Sequence, residues 1–481
     1  MTYQVPQHIS KDKIFIVKKS EIEGRLEPDF YKPSIASLEK KIRSLSTKRL
    51  RSYAQSFAGG ATPSKRESEK YYSDSETGVP FLRVQQLQTT GELLLDGCIY
   101  INESTHNGLL KRSQVSEGDL LVKITGVGRM AIASVAPEDF AGNTNQHMVV
   151  IKTGNPSVSK YLAHYLNLDI IEQIASRHST GGTRPALDYP SLKNIPIIDG
   201  LDFSIIDDAI KTKKAKEAEA QQLLDSIDDY LLKELGINVI ESSDNTDSVV
   251  DRIFIKNLRG LERDRLDSNY YDNKYNTLIH SIRKGIYPLY ILGDSNITSF
   301  LSVGQTPKSE YYSDTETDFP IIKAGSYTGS EIDLSKVAFT INKQSYTIKK
   351  GDIFILSAAH QAEYIAKQIC YLHDTPKPNT SFVGELLCVR ASEIVNSMYL
   401  YSVLSTKVYK TLLNREKRGQ TSHLYAQDVK QIFVPIPPIE KQNCIAKHIE
   451  ELRTRAKALQ AEGKVILEEA KRKVEQMIIG E

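Results

Sequence analysis

The chain has 481 residues, 40% hydrophobic and 25% charged, which is ordinary for a globular protein of about two to four domains. Its formal net charge of +2 is nearly neutral, so the total charge does not indicate a polyanionic partner. Any surface that binds a polyanion must come from a local cluster of basic residues. The widely spaced cysteines argue against a disulfide framework or a zinc site, and residues 1–20 contain no apolar signal core, so we expect a cytoplasmic protein with no membrane role.

Residues 40–200 have the texture of strands joined by turns. Short apolar runs at Asp119–Ile124 and Met148–Ile151 are separated by Gly, Pro, Asn and Asp, which predicts strands. A helical pattern covers Lys160–Arg177. Gly126-Val127-Gly128 follows one of the strands, and we interpret it as a plain turn because a dinucleotide-binding loop needs a third glycine and a downstream acid.

A long helix is predicted next. Asp202–Leu235 contains no Gly or Pro, and its apolar residues recur on one stripe that includes Leu224, Ile227 and Leu231.

The sequence then repeats itself. Tyr71–Pro80 returns as Tyr311–Pro320, a shift of 311 − 71 = 240 residues. Further collinear matches pair Arg25–Tyr31 with Arg265–Tyr271, Gly60–Pro63 with Gly304–Pro307, Gly118–Val122 with Gly351–Ile355, and Leu192–Ile195 with Val429–Ile432. A period this long suits a whole domain with its connector, so the chain is predicted to fold like a dimer and to bind an object with two similar halves.

The second half repeats the mixed texture and also ends in a helix. Strand patterns occur at Ile353–Leu356 and Glu385–Val389, and a helical pattern covers Ser397–Asn414. After Pro437-Pro438, apolar residues follow a heptad seam: Ile445, Ile449, Leu452, Ala456, Leu459, Ile466, Ala470 and Met477. Such a seam either packs on its own domain or pairs with the helix of the other half, and its length favours the second interpretation.

These patterns predict an α+β protein with two similar mixed α/β domains in a pseudo-two-fold arrangement. The domains cover residues 1–200 and 241–437, and each is followed by a helix, at 201–240 and 438–481. Equivalent helices related by a pseudo-two-fold axis run antiparallel, so a long antiparallel two-helix coiled coil is expected to separate the domains.

The layout resembles the DNA specificity subunit of type I restriction-modification enzymes. The matching pieces are Gly-x-Thr-Pro followed by an aromatic pair (within 60–80 and 304–320), the doubled Gly-Asp at Gly118 and Gly351, and the run from Gly419 to Gln442 that leads into the last helix. The first copy departs from the pattern because Ile195–Gly200 lacks Pro-Pro-x-Glu-x-Gln. Its helix is therefore expected to start differently.

The resemblance implies two target recognition domains, each reading one half of a bipartite site in double-stranded DNA. It also implies two helices that set the gap and hold two methyltransferase (modification) subunits, with restriction/translocase subunits as further partners. In that family the partners carry out methylation and cleavage, so the chain is expected to be no enzyme and to bind no cofactor or metal. The absence of P-loop, His-Glu-x-x-His and Gly-x-Ser-x-Gly motifs agrees with this expectation. The alternative is a coiled-coil adaptor of a related DNA-defence or DNA-modification complex without base readout.

Two kinds of segment are candidates for contact with DNA. A basic cluster between residues 40 and 51 contains Lys48, Arg49 and Arg51, which suit phosphates but suit a solvated surface equally well. Two glycine-flanked loops place Arg, His and amide side chains where base edges can be read. Their candidates are Arg177 and Arg184 in the first half and Arg415, Arg418, Gln420 and His423 in the second. A glycine-capped helix end explains the same residues, and both interpretations can hold together.

Comparison of the halves adds further candidates. If the domains read different half-sites, positions identical in both copies suit folding, and positions that diverge within matched loops suit base discrimination. Gln85 and Gln86 stand opposite Ala324 and Gly325, and Asn145 lies in a second divergent loop. Gln85, Gln86 and Asn145 are therefore predicted to contact bases, whereas the shared Tyr-Tyr pairs are expected to pack.

Overall fold

The computed structural model describes residues 10–46, 48–239, 257, 261–262, 265–359, 364–419 and 423–480. The chain divides into two compact units, which we call unit 1 (1–217 and 460–481) and unit 2 (218–459). The predicted boundaries at 200, 240 and 437 and the pseudo-two-fold arrangement stay predictions.

Unit 1 combines short strands with helices. Its helices are α1 Pro33–Leu45, α2 Ser68–Tyr71, α3 Glu103–Asn107, α4 Pro156–Leu166, α5 Asp169–Arg177 and α6 Tyr189–Lys193. Its strands are β1 Lys48–Arg49, β2 Ser56–Gly59, β3 Tyr72–Ser73, β4 Val79–Leu82, β5 Ile99–Ile101, β6 Gln114–Ser116, β7 Leu120–Lys123, β8 Ala133–Val135, β9 Ala141–Thr144, β10 Met148–Lys152 and β11 Pro196–Ile197.

The elements of unit 2 follow in a similar order. The long helix α7, Ser204–Glu234, leads into it, and its other helices are α8 Asn273–Arg283, α9 Ser397–Ser405, α10 Lys407–Arg415, α11 Ala426–Val429 and α12 Ile439–Ile479. Its strands are β12 Leu289–Ile291, β13 Thr298–Val303, β14 Tyr312–Ser313, β15 Pro320–Ile322, β16 Tyr327–Thr328, β17 Glu331–Ile332, β18 Ala338–Thr340, β19 Ile353–Leu356, β20 Ile369–Tyr371, β21 Ser381–Phe382, β22 Leu386–Ala391 and β23 Phe433–Pro435.

The two units share one sheet topology. The strand order β2-β10-β7-β8 of unit 1 returns in unit 2 as β13-β22-β19-β20, which β17 and β16 extend. The second sheet, β3-β5-β4-β9-β6, returns as β14-β18-β15-β21, and in both sheets the equivalent pair, β4 with β9 or β15 with β21, is parallel. The sequence repeat is therefore a repeat of topology, and the mixed α/β fold predicted for both halves is confirmed.

Each predicted domain helix is broken in two. Leu168 between α4 and α5, and Thr406 between α9 and α10, have extended backbones with ψ angles of 144° and 153°. Each break exposes a new helix start, whose backbone N–H groups need acceptors. A carboxylate on a long helix supplies one: Glu475 of α12 accepts from Asp169 N–H in unit 1, and Asp228 of α7 accepts from Lys407 N–H at 2.7 Å in unit 2.

The helices α7 and α12 run antiparallel within each unit. In unit 1 the Nζ atom of Lys216 lies 2.6 Å from the Glu462 carboxylate. In unit 2 Glu219 pairs with Arg455 at 3.1 Å, and further along α7 Glu234 pairs with Lys441. Partner numbers fall as α7 numbers rise, so the predicted antiparallel pairing is confirmed. Among the described residues, no helix has both the length and the apolar character that crossing a bilayer requires.

The seam of α12 follows the prediction through Leu459 and only in part after it. Ile445, Ile449, Ala456, Leu459 and Ala470 are buried as expected, but Met477 is exposed and Val474 is buried in its place. Gly463 marks the change, because a Cβ atom there would lie 3.2 Å from Lys213 Cγ. The close approach of α7 at this glycine explains why a heptad extended from the first half of the helix failed.

Candidate nucleic-acid interface

Each unit holds an aromatic ring between two arginine side chains. In unit 1 the guanidinium carbons of Arg25 and Arg177 lie 4.6 and 4.3 Å from the centre of the Phe30 ring. In unit 2 those of Arg265 and Arg415 lie 4.3 and 3.7 Å from the centre of the Tyr270 ring. We call each group an arginine clasp. Arginine stacked on an aromatic face is favourable, and more so when the pair is shielded from water.

Hydrogen bonds fix the clasp to the backbone in the same way twice. Arg177 Nε donates to the carbonyl of Phe30 at 2.6 Å, and Arg415 Nε donates to the carbonyl of Tyr270 at 2.9 Å. Both side chains are largely buried, with 12% and 7% exposed. These guanidiniums tie the start of each repeat to the end of α5 or α10, and DNA contact by Arg177 and Arg415 stays a prediction.

The acid that balances the clasp differs between the units. In unit 1 Glu39 of α1 pairs with Arg177 and lies 2.6 Å from Arg43 and 2.9 Å from His178. In unit 2 the buried Glu416 lies 3.6 Å from Arg415. Burial alone would raise the pKa of Glu39, but hydrogen bonds and charges from His178, Arg43 and Arg177 outweigh it and lower the pKa from 4.5 to about 2.

Replacing Glu39 with Gln is expected to destabilise unit 1 by at most about 3 kcal/mol at neutral pH, because the lowered pKa links ionisation to folding. A depressed carboxyl pKa gives stability that is present above pH 4.5 and is lost as the pH falls toward about 2. Urea unfolding of wild type and Glu39→Gln between pH 7 and pH 3 should show the difference shrinking with acid. Glu138→Gln, at an exposed acid in the same unit, is the control. If the difference in unfolding free energy between wild type and Glu39→Gln did not change with pH, the lowered pKa assigned to Glu39 would be contradicted.

The two glycine-flanked loops are closed by backbone pairs. Thr180 and Ala186 exchange two hydrogen bonds of 2.8 Å, and Arg418 and His423 exchange two of 2.9 Å. Gly181 and Gly419 have φ angles of +98° and +95°, which favour glycine at the start of each loop. The loop between Thr180 and Ala186 is therefore a short hairpin tip, and the ends of the second loop, Arg418 and His423, are paired in the same way. Gln420 lies outside the described residues.

The side chains at these loops differ in how strongly they are held. Arg184 is exposed at the tip of its loop. Arg418 pairs with Asp428 at 2.9 Å and lies over the Tyr425 ring, with about a third of its side chain exposed. Arg184, Arg418 and His423 stay predictions for base contact.

The basic cluster of unit 1 is tied to β11 and its flanks. Lys48 Nζ lies 3.1 Å from the Asp199 carboxylate, and Arg51 donates to Asn194 Oδ1 at 2.7 Å. Arg49 donates to the carbonyl of Lys48 at 3.0 Å. Lys48 is half-exposed and can reach a phosphate, but that contact would compete with its ion pair to Asp199.

The three amide candidates do not share one environment. Gln85 is exposed, whereas Gln86 and Asn145 are 1% and 6% exposed. Gln86 Oε1 accepts from Arg83 N–H at 2.9 Å, and in unit 2 Ser326 Oγ accepts from Lys323 N–H at 3.3 Å. The structure therefore sets Gln86 opposite Ser326 rather than opposite Gly325 as the sequence comparison predicted, and the two side chains close equivalent turns. Asn145 Oδ1 accepts from His147 N–H at 3.1 Å. Base contact by Gln86 and Asn145 stays a prediction.

Residues 295–468 match the family model of the type I restriction modification DNA specificity domain. Unit 1 repeats the sheet topology of the matched region. The matched region of the chain therefore carries the type I restriction modification DNA specificity domain that the sequence resemblance predicted.

Solved structures of specificity subunits are similar to the chain at low identity. The S subunit of a type I restriction-modification system from M. genitalium is 13% identical, with 88% of this chain and 95% of that chain covered and a TM-score of 0.36. The HsdS subunit from Thermoanaerobacter tengcongensis is 14% identical, with 90% and 94% covered and a TM-score of 0.35. A chain of a type I R-M system complex is 15% identical, with 89% and 95% covered and a TM-score of 0.40. No curated protein sequence matches the chain.

The motifs shared by both halves of the chain have structural roles. A Cβ atom at Gly60 would lie 1.8 Å from the Thr144 carbonyl, and one at Gly304 would lie 2.2 Å from the Phe382 carbonyl, so Gly-x-Thr-Pro marks a close backbone approach. The repeated Gly-Asp closes a turn: the carboxylates of Asp119 and Asp352 accept from backbone N–H groups at 2.8 and 2.7 Å. The shared positions therefore build the framework of each domain.

Proposed function

We propose that each unit of the chain reads one half of a bipartite site in double-stranded DNA. The observation that carries the proposal is one sheet topology built twice on a common buried framework, with different exposed side chains on equivalent loops. Two readers with the same framework and different loops suit two half-sites of different sequence. Recognition of base edges needs side chains on exposed loops or helices, and Arg184 and Gln85 meet that requirement in unit 1.

The proposed role of α7 and α12 is to set the distance between the half-sites and to dock two modification subunits, with restriction/translocase subunits joining the complex. Ion pairs along both helices support a fixed pairing: Lys216 with Glu462 in unit 1 and Glu219 with Arg455 in unit 2. A single exposed ion pair contributes little stability, so we propose that these pairs fix the register of α7 against α12. The buried seam at Ile449 and Val474 supplies the stability.

Loss of the gene tests this function in the host. Mapping of methylated adenines in genomes with and without it should show one bipartite motif that disappears on deletion. A methylation pattern that does not change, in a host where the partner genes are expressed, would contradict the proposal.

We expect the isolated chain neither to bind S-adenosylmethionine nor to modify DNA, because we assign methyl transfer to the modification subunits. Calorimetric titration of the full-length chain with S-adenosylmethionine should give no binding heat, and addition of modification subunits should restore it. Stoichiometric binding to the chain alone would overturn this assignment.

A further inference from the structure

The turn after β7 presents one apolar side chain at its tip. Val127 is 78% exposed and lies between Gly126 and Gly128, whose φ angles are +119° and +79°. Val is stiff about χ1, so the direction of its methyl groups is set by the backbone. A single exposed valine is normal on a protein surface and needs no explanation. The contacts that hold Val127 in place do need one.

The turn is fixed from two sides. Gly126 N–H donates to the carbonyl of Pro185 at 3.0 Å, and Thr125 pairs with Ala186, so the turn lies against the loop that carries Arg184. From beneath, Lys123 Nζ donates to the carbonyl of Val127 at 2.8 Å. Lys123 is 3% exposed, and burial lowers the pKa of its ammonium. Burying an ammonium is unfavourable, and here the group holds the tip of an exposed turn.

This arrangement differs between the two specificity domains. Lys123 is the last residue of β7, and the last residue of the matching strand β19 is Leu356. The side chain of Leu356 has no hydrogen-bond donor. A lysine at this position in one of two otherwise matched frameworks suits discrimination between half-sites better than it suits folding.

We infer that Val127 contacts the 5-methyl group of a thymine in the half-site read by unit 1, and that Lys123 is the residue that positions it. The thymine methyl is the apolar mark in the major groove, and side-chain methyl groups recognise it by contact. Arg184 on the adjacent loop reads a neighbouring base pair. This inference rests on the proposed function, because it places the loops of unit 1 against DNA.

Replacing each thymine of the cognate site in turn with deoxyuridine removes the methyl group alone. With the full-length chain, one such replacement in the unit 1 half-site should weaken binding roughly fourfold, the value expected for one buried methyl group. Val127→Ala should weaken binding to the unmodified site by a similar factor and should be insensitive to that replacement. Leu109→Ala, at another exposed apolar residue of unit 1, is the matched control and should keep the deoxyuridine effect.

Lys123→Met tests the positioning role, because it removes the ammonium and keeps an unbranched chain of similar length. It should abolish the deoxyuridine effect while the effect of Arg184→Ala on its own base pair persists. Val127→Ala changes an exposed side chain, so its result does not depend on the stability of the Lys123 variant.

Three outcomes would overturn the inference. They are a unit 1 half-site without thymine, no effect of any single replacement, or effects of Val127→Ala and deoxyuridine that multiply independently. In each case the proposed function would still hold if the chain bound DNA sequence-specifically and Arg184→Ala altered that preference in the same half-site. Loss of all sequence preference in the wild-type chain would contradict the proposed function itself.

Discussion

Replacing Arg415 with Ala should destabilise unit 2 by about 3 to 5 kcal/mol, the usual cost of removing one partner from a buried charged pair. The side chain stacks on Tyr270 at 3.7 Å, donates to its carbonyl at 2.9 Å and lies 3.6 Å from the buried Glu416. Its removal leaves the buried Glu416 carboxylate with less compensating charge and opens a cavity beside the Tyr270 ring. Urea unfolding followed by hydrogen exchange of unit 2 amides measures the loss.

Arg184→Ala is the control for this prediction. It changes an exposed arginine in a loop of unit 1, so it should leave stability within about 0.5 kcal/mol of wild type. If Arg415→Ala kept its stability and lost preference at one base pair, the structural role assigned to the arginine clasp would be wrong.

Matched insertion of four residues in both long helices should lengthen the recognised spacer by about one to two base pairs. Four helical residues add about 6 Å at 1.5 Å per residue, against about 3.4 Å per base pair. The insertions go between Glu217 and Ala218 in α7 and between Leu459 and Gln460 in α12, where the chain divides into its two units. Selection from a library of targets with different spacers measures the change.

Insertion in α12 alone is the comparison. It shifts one helix against the other and separates pairs such as Lys216 with Glu462, so binding to every spacer should weaken. A matched insertion that left the preferred spacer unchanged would exclude α7 and α12 as the elements that set it.

The repeat made most of the fold predictable. Matched segments in the same order in both halves predicted two similar domains, and the strand Ile353–Leu356 was predicted to the residue. The breaks at Leu168 and Thr406 were not predicted, because the acids that cap the new helix starts, Glu475 and Asp228, lie far away in sequence.

The candidate site was less predictable for the same reason. Arg177 lies beside a glycine loop in sequence, yet its partners Phe30 and Glu39 are contributed by the start of the repeat. A signal was present: an arginine five residues before an aromatic residue, Arg25 before Phe30 and Arg265 before Tyr270, occurs in both copies. Positions shared by both copies indicated structural roles throughout, and this rule applied to Arg177 and Arg415 as well.

The central claim is that each unit reads its own half-site, and competition binding with half-site libraries tests it most directly. One half-site is randomised while the other is held constant, and the full-length chain is compared with Arg184→Ala and His423→Ala. Each substitution should cost about 1 to 3 kcal/mol on the cognate site and relax preference at one position, Arg184→Ala in one half and His423→Ala in the other. If both substitutions altered the same half-site, or lowered affinity for all sequences equally, the assignment of one reader to each unit would be contradicted.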